Sequence, residues 1–126
     1  RKLLRVRANT VRVRSTLAWL AIAHELPADA RIALDLYMVS LQTDRERELA
    51  VRHLSTMAGA TRDPELRESL AEHLTTLGAR DAADAILARL RAEDDGELEP
   101  YGDDEIRACR EEAIERLVSP KSQPRR

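Results

Sequence analysis

Three histidines and one cysteine are the residues of this chain whose types could carry chemistry: His24, His53, His73 and Cys109. His53 and His73 fall on consecutive helical segments, and with Glu46, Glu72 or Glu25 they could in principle ligate a metal. No two of these groups stand at the i, i+3 or i, i+4 spacing that aims two ligands from one helix at a shared ion. Both histidines also lie within apolar stripes, where a core or boundary role is expected. A single cysteine excludes an intrachain disulfide and a thiolate cluster. As a nucleophile Cys109 would want a histidine base, and none is near it in sequence, so a small buried apolar role is expected for it. The four glycines, Gly59, Gly78, Gly96 and Gly102, build neither a phosphate-cradling loop nor a Gly-x-Ser-x-Gly elbow. The expectation is a protein with no catalytic residues, no metal and no cofactor.

Charge is the stronger lead. Residues 1–14 hold six bases and no acid, and within them "LLRVRANTVRVRS" (3–15) places Arg5, Arg7, Arg12 and Arg14 in two short runs alternating with apolar residues. Residues 93–105 hold eight acids and no base: Glu93, Asp94, Asp95, Glu97, Glu99, Asp103, Asp104 and Glu105. Their spacing matches no calcium loop. The net charge of −2 therefore describes neither end.

A turn at Asn9-Thr10 would fold the opening stretch into a hairpin with all four arginines on one side, although like charges facing each other weaken a ladder. The helical alternative aligns Leu3, Val6, Thr10, Val13, Leu17 and Leu20, but it is rich in β-branched residues. The hairpin or extended arm is the favoured reading. Either way the cluster calls for anions, supplied by the chain's own acidic segment or a second copy's, by an acidic partner protein, or by nucleic-acid phosphates. Nucleic acid finds little other support. No aromatic platform is available for stacking bases, and the chain outside residues 1–14 has 15 bases against 23 acids.

The elements that must position these groups read as helices. At 43% hydrophobic with three aromatics, the 126-residue chain can bury one aliphatic core. The charged fraction of 35% is spread between periodic apolar positions, as solvated helix faces require. Segment 15–26 can be capped by Ser15. Segment 27–42 opens on Pro27, and its Ile32, Leu34, Leu36, Met38, Val39 and Leu41 point in too many directions for a surface helix, so it is expected to be central, with Leu36 in the core. Segment 43–59 has a capping-box spacing at Thr43 and Glu46 and can stop at a left-handed Gly59. Its inward stripe is Leu49, Ala50, His53, Leu54 and Met57. Segment 63–78 has an Asp63 cap, Pro64 in its first turn and Gly78 past its end, with Leu66, Leu70, His73, Leu74 and Leu77 inward. Segment 81–93, capped by Asp81, turns Ala83, Ile86, Leu87 and Leu90 inward. Segment 103–118, capped by Asp103, does so with Ile106, Cys109, Ala113 and Leu117.

The stretch "DPELRESLAEHLTTLGARDAADAILARL" (63–90) resembles a single HEAT-type helical repeat in its caps and leucine spacing, which many helical hairpins share. No second copy follows at a fixed period. The resemblance implies a protein-binding scaffold.

These features predict an all-α, compact bundle of about five helices: a basic arm or β-hairpin over 1–15, one helical domain over 16–118 and a basic tail over 119–126. The expected function is that of a non-catalytic adaptor or assembly subunit whose arginines face an acidic surface, on a protein partner or on copies of itself. The alternative is a small nucleic-acid-associated or regulatory protein using the same arginines with Arg125 and Arg126. The apolar run "TLAWLAIA" (16–23) superficially copies a secretion signal, but the lone cysteine favours a cytoplasmic setting. No run is long enough to span a membrane.

Overall fold

Side-chain caps begin two of the helices where the sequence places them. The Thr43 hydroxyl accepts from the Glu46 amide at 3.1 Å while the Glu46 carboxylate accepts from the Thr43 amide, also at 3.1 Å. Asp63 accepts from the Leu66 amide at 2.8 Å, with Pro64 in the first turn. The computed structural model describes the backbone of residues 2–118 and the side chains of residues 9–115; the basic tail over 119–126 lies outside the described residues. The fold is all-α. It has six helices, with no strand among the described residues: α1 (Lys2–Ala23), α2 (Pro27–Ser40), α3 (Asp44–Ala58), α4 (Pro64–Thr76), α5 (Arg80–Asp94) and α6 (Asp103–Val118).

The hairpin expected at Asn9-Thr10 is not formed. α1 runs through that point and through Ser15, which is buried inside the helix rather than capping it. The physical reason lies in the packing. A continuous helix aligns Val11, Ser15, Ala18 and Ile22, with Trp19 beside them, into one stripe against the core. That burial outweighs the weak helix propensity of the β-branched residues.

Smaller corrections concern the other helix ends. α5 starts at Arg80, with no side-chain cap, so Asp81 sits in its first turn, where a carboxylate meets the positive end of the helix dipole. α6 starts with Asp103 already helical, and the Glu105 carboxylate accepts from the Gly102 amide at 2.8 Å. Gly59 is right-handed at φ −89°, whereas Gly78, after α4, takes the left-handed φ of +86°.

α1 and α2 form one antiparallel hairpin and α4 and α5 a second. α3 packs on α4, α2 on α4, and α6 closes the structure against α1 and α3. Arg110 fixes that last contact, its Nε donating to the Ala60 carbonyl at 2.8 Å and its Nη1 to the Ala23 carbonyl at 3.4 Å. The core combines Trp19, Ile22, Leu34, Tyr37, Leu54, Met57, Leu66, Leu70 and Leu74 with many alanines. Three inward assignments fail: Leu36, Leu49 and Leu87 are 46%, 49% and 41% exposed. On α2 the core position belongs to Leu34, two residues away and so on the opposite side of the helix.

Truncating Leu34 or Leu70 to Ala should lower the unfolding free energy by roughly 2–5 kcal/mol, the range for deleting a buried leucine side chain. Leu87→Ala should cost less than about 1 kcal/mol, as partly exposed positions do. Urea unfolding of the three variants checks the assignment, and equal losses at all three would refute it.

Candidate interaction surface

α1 and α2 each carry two apolar stripes rather than one. On α1 the buried stripe includes Ala18 and Ile22, while Val13, Leu17 and Leu20 are exposed. On α2 the buried stripe is Ala30, Leu34 and Tyr37, while Ile32, Leu36 and Val39 are exposed. A shift of two residues is about 200° around a helix, so the second stripe lies roughly opposite the first. The outer stripes meet along the hairpin in an open groove of about 390 Å³, floored by Ala21 and Ala33 between Leu17, Leu20, Ile32 and Leu36. Contiguous apolar surface of this kind marks interaction sites on folded proteins, whereas scattered exposed leucines do not. The multidirectional apolar pattern of 27–42 therefore has a different cause from a central position. One side of α2 is core and the other is surface.

Charged groups stand at the two ends of this groove. Arg14 lies at one, its Nη1 donating to the Leu36 carbonyl at 2.8 Å. Asp29 lies at the other, beside His24 and Leu26. Because Arg12 is two residues from Arg14, the helix sends it to the other side, where it is exposed. The single basic face expected of a hairpin is thus divided. The side chains of Arg5 and Arg7 lie outside those described.

Much of the acidic segment is used by the fold itself. Arg67, a charged residue only 1% exposed at the end of the first turn of α4, grips Glu93 with two hydrogen bonds of 2.8 and 3.1 Å. Arg89 adds a third at 2.7 Å, and its guanidinium lies 3.9 Å from the centre of the Tyr101 ring. The hydrogen bonds from Arg67 are the main reason the Glu93 carboxyl is held below its ordinary range, against desolvation that pushes the other way. Asp103 pairs with Arg62 and Asp104 with Arg107. Asp94, Asp95, Glu97 and Glu99 are exposed.

The histidines go separate ways. His53 packs edge-on against Tyr37, with ring centres 6.4 Å apart, and burial lowers its pKa. Burial first, and the Glu46 carboxylate second, push the Tyr37 hydroxyl up to about 12. His73 Nε2 lies 3.2 Å from Asp35 of α2. His24 stands apart at the groove. Among the described residues no three histidine, cysteine or carboxylate groups are placed to hold a metal. Cys109 is half-buried, donating to the Thr56 carbonyl at 3.4 Å, and its thiol pKa is raised chiefly by desolvation. No described helix is long and apolar enough to cross a membrane.

No family model, curated protein or solved structure matches the chain. The groove and Asp29 were not among the sites expected from sequence. The signal that marks them is the pair of apolar stripes offset by two residues on α1 and α2.

Removing Arg67 should be expensive, because it empties a fully buried position and takes two hydrogen bonds from the partly shielded Glu93 carboxylate. Arg67→Ala should lose about 3–5 kcal/mol, while Arg67→Met combined with Glu93→Leu should recover most of it. Glu93 titrates lower in the folded chain than in the unfolded one, so its contribution is present above the usual carboxylate pKa of about 4.3 and is lost as pH falls through the depressed value. Glu93→Gln should flatten that acid-side decline in urea unfolding. An unchanged acid slope would show that the pair does not contribute as described.

Proposed function

We propose that the protein is a non-catalytic assembly or adaptor subunit acting through protein–protein contacts, and that its contact surface is the α1–α2 face. The observation that carries this reading is the second apolar stripe on both helices, bearing Leu17, Leu20, Ile32 and Leu36 around an open groove. Covering such residues is favourable by about 25 cal/mol per Å² of apolar area removed from water. The charges support the same reading: Arg14 and Asp29 stand at opposite ends of an apolar centre, the arrangement of a polar rim that orients a partner. The arginines of the opening stretch then serve as orienting groups rather than as a phosphate-binding face, since α1 sends Arg12 and Arg14 to different sides.

The test is photocrosslinking in cells. A photoreactive residue at Leu17 or Ile32 should give adducts with protein, whether the same chain or another, and one at Asp84 on the exposed side of α5 should not. Adducts with nucleic acid, or none from the α1–α2 positions, would refute the reading.

A further inference from the structure

Building on that reading, we infer that the partner on the α1–α2 face is a second copy of this chain, packed antiparallel about a two-fold axis near Ile32, with Arg14 of each copy against the partner's Asp29. The basis is the register of the hairpin. The hydrogen bond from Arg14 to the Leu36 carbonyl sets those two residues at one level. Counting inward along the antiparallel pair brings Leu17 level with Ala33, and Ala21 level with Asp29. The midpoint between the Arg14 end and the Asp29 end therefore falls at Leu17, Ile32 and Ala33, in the centre of the groove.

A two-fold axis lying in the plane of the face and perpendicular to the helices, crossing the groove at that midpoint, brings the two faces together and sets α2 antiparallel to the partner's α2. Ile32 then stands beside the partner's Ile32. Leu26 lies level with the partner's Val39, and both are strongly exposed in the single chain, at 47% and 73%. Asp29 lies level with the partner's Leu36, whose carbonyl is the group its own Arg14 holds, so the guanidinium comes to the carboxylate. Asp29 and Leu36 are seven residues apart, about 10 Å of helix. The two ion pairs thus flank an apolar centre at equal distances, apolar residues meet apolar residues, and each charge meets its opposite. An isologous interface requires this self-complementarity of a single patch. A two-fold axis running along the helices instead would set each Arg14 level with the partner's Arg14 and each Asp29 level with the partner's Asp29, covering both charges without an opposite charge, which is unfavourable. The product is a four-helix arrangement made of two hairpins.

The experiment is sedimentation equilibrium of the full chain with its single-site variants. The parent should weigh twice its chain mass of 14.2 kDa. Ile32→Glu should weaken the dimer by about a hundredfold or more, by placing two like charges at an apolar centre, with helix content unchanged by circular dichroism. Arg14→Glu and Asp29→Arg should each weaken it by roughly tenfold, and the double exchange should restore it, since the pair is rebuilt in reverse. In a Cys109→Ser background, Ile32→Cys should crosslink to itself on oxidation, as only a residue near the axis can. A parent that stays monomeric overturns the inference, as does a dimer indifferent to Ile32→Glu, or a double exchange that fails to restore mass. A monomeric parent whose Leu17 and Ile32 positions still photocrosslink to a different protein would sink the dimer alone and leave the reading of the face intact.

Discussion

The close approach of α1 and α2 is the constraint on which the rest of this structure depends. With no phenylalanine and one tryptophan in the chain, the inner sides of these helices are built largely from Ala18, Ala30, Leu34 and the two rings of Trp19 and Tyr37, all at most 1% exposed. Small residues facing inward let the two backbones come near each other. They also leave much of the bulky aliphatic content of both helices on the remaining circumference. Interior packing is dense enough that those extra leucines and isoleucines could not be turned inward without displacing the rings. The outer apolar face is therefore a consequence of how the inner one is filled.

The α4–α5 hairpin is organised by a charged pair as well as by apolar contact. Arg67 occupies a position that leucine would ordinarily fill on α4, and its guanidinium fork takes both oxygens of Glu93 from the end of α5. Arg89 and Tyr101 stack over the same site, which draws the segment between α5 and α6 back against the helices. A buried pair of this kind contributes little net stability over an apolar substitute, yet it tolerates the loss of neither partner. It specifies where the acidic segment lies, so several of its carboxylates are part of the fold before they are available to anything else.

The legible parts of the sequence are those governed by short-range physics. Thr43 with Glu46 and Asp63 with Leu66 satisfy orphan amides within one turn, and both form as their spacing suggests. The leucine stripe of α4 is read correctly at Leu66, Leu70 and Leu74 because a single apolar face allows one orientation. The opening stretch is misread because its local preferences are weak and its neighbours decide. Val11 and Ser15 gain a packing surface only when the helix is unbroken. α2 is misread for a different reason. Apolar residues on two sides suit a helix enclosed by its own chain and equally a helix with one side on the surface, and no local signal separates the two. Arg67 carries no local mark of its burial either, since its partner is 26 residues away.

That ambiguity at α2 bears on the kind of macromolecule the proposed contact surface would suit. A phosphate backbone is gripped by cations that share a face, because each contact adds to one linear track of charge. Arg12 and Arg14 are close in sequence but about 200° apart on the helix, and Arg14 already spends a donor on the Leu36 carbonyl. Around it the groove is apolar, with Asp29 at its far end, and a polyanion would be repelled there. A folded protein surface meets these features more readily, because it can present aliphatic side chains to the centre and one charge of each sign to the ends. The asymmetry that stands out in the linear sequence, bases first and acids later, is thus reorganised by the fold. Arg67, Arg89, Arg62 and Arg107 engage Glu93, Asp103 and Asp104 within the chain, and Arg14 and Asp29 are the charged groups that stand at the ends of the apolar groove.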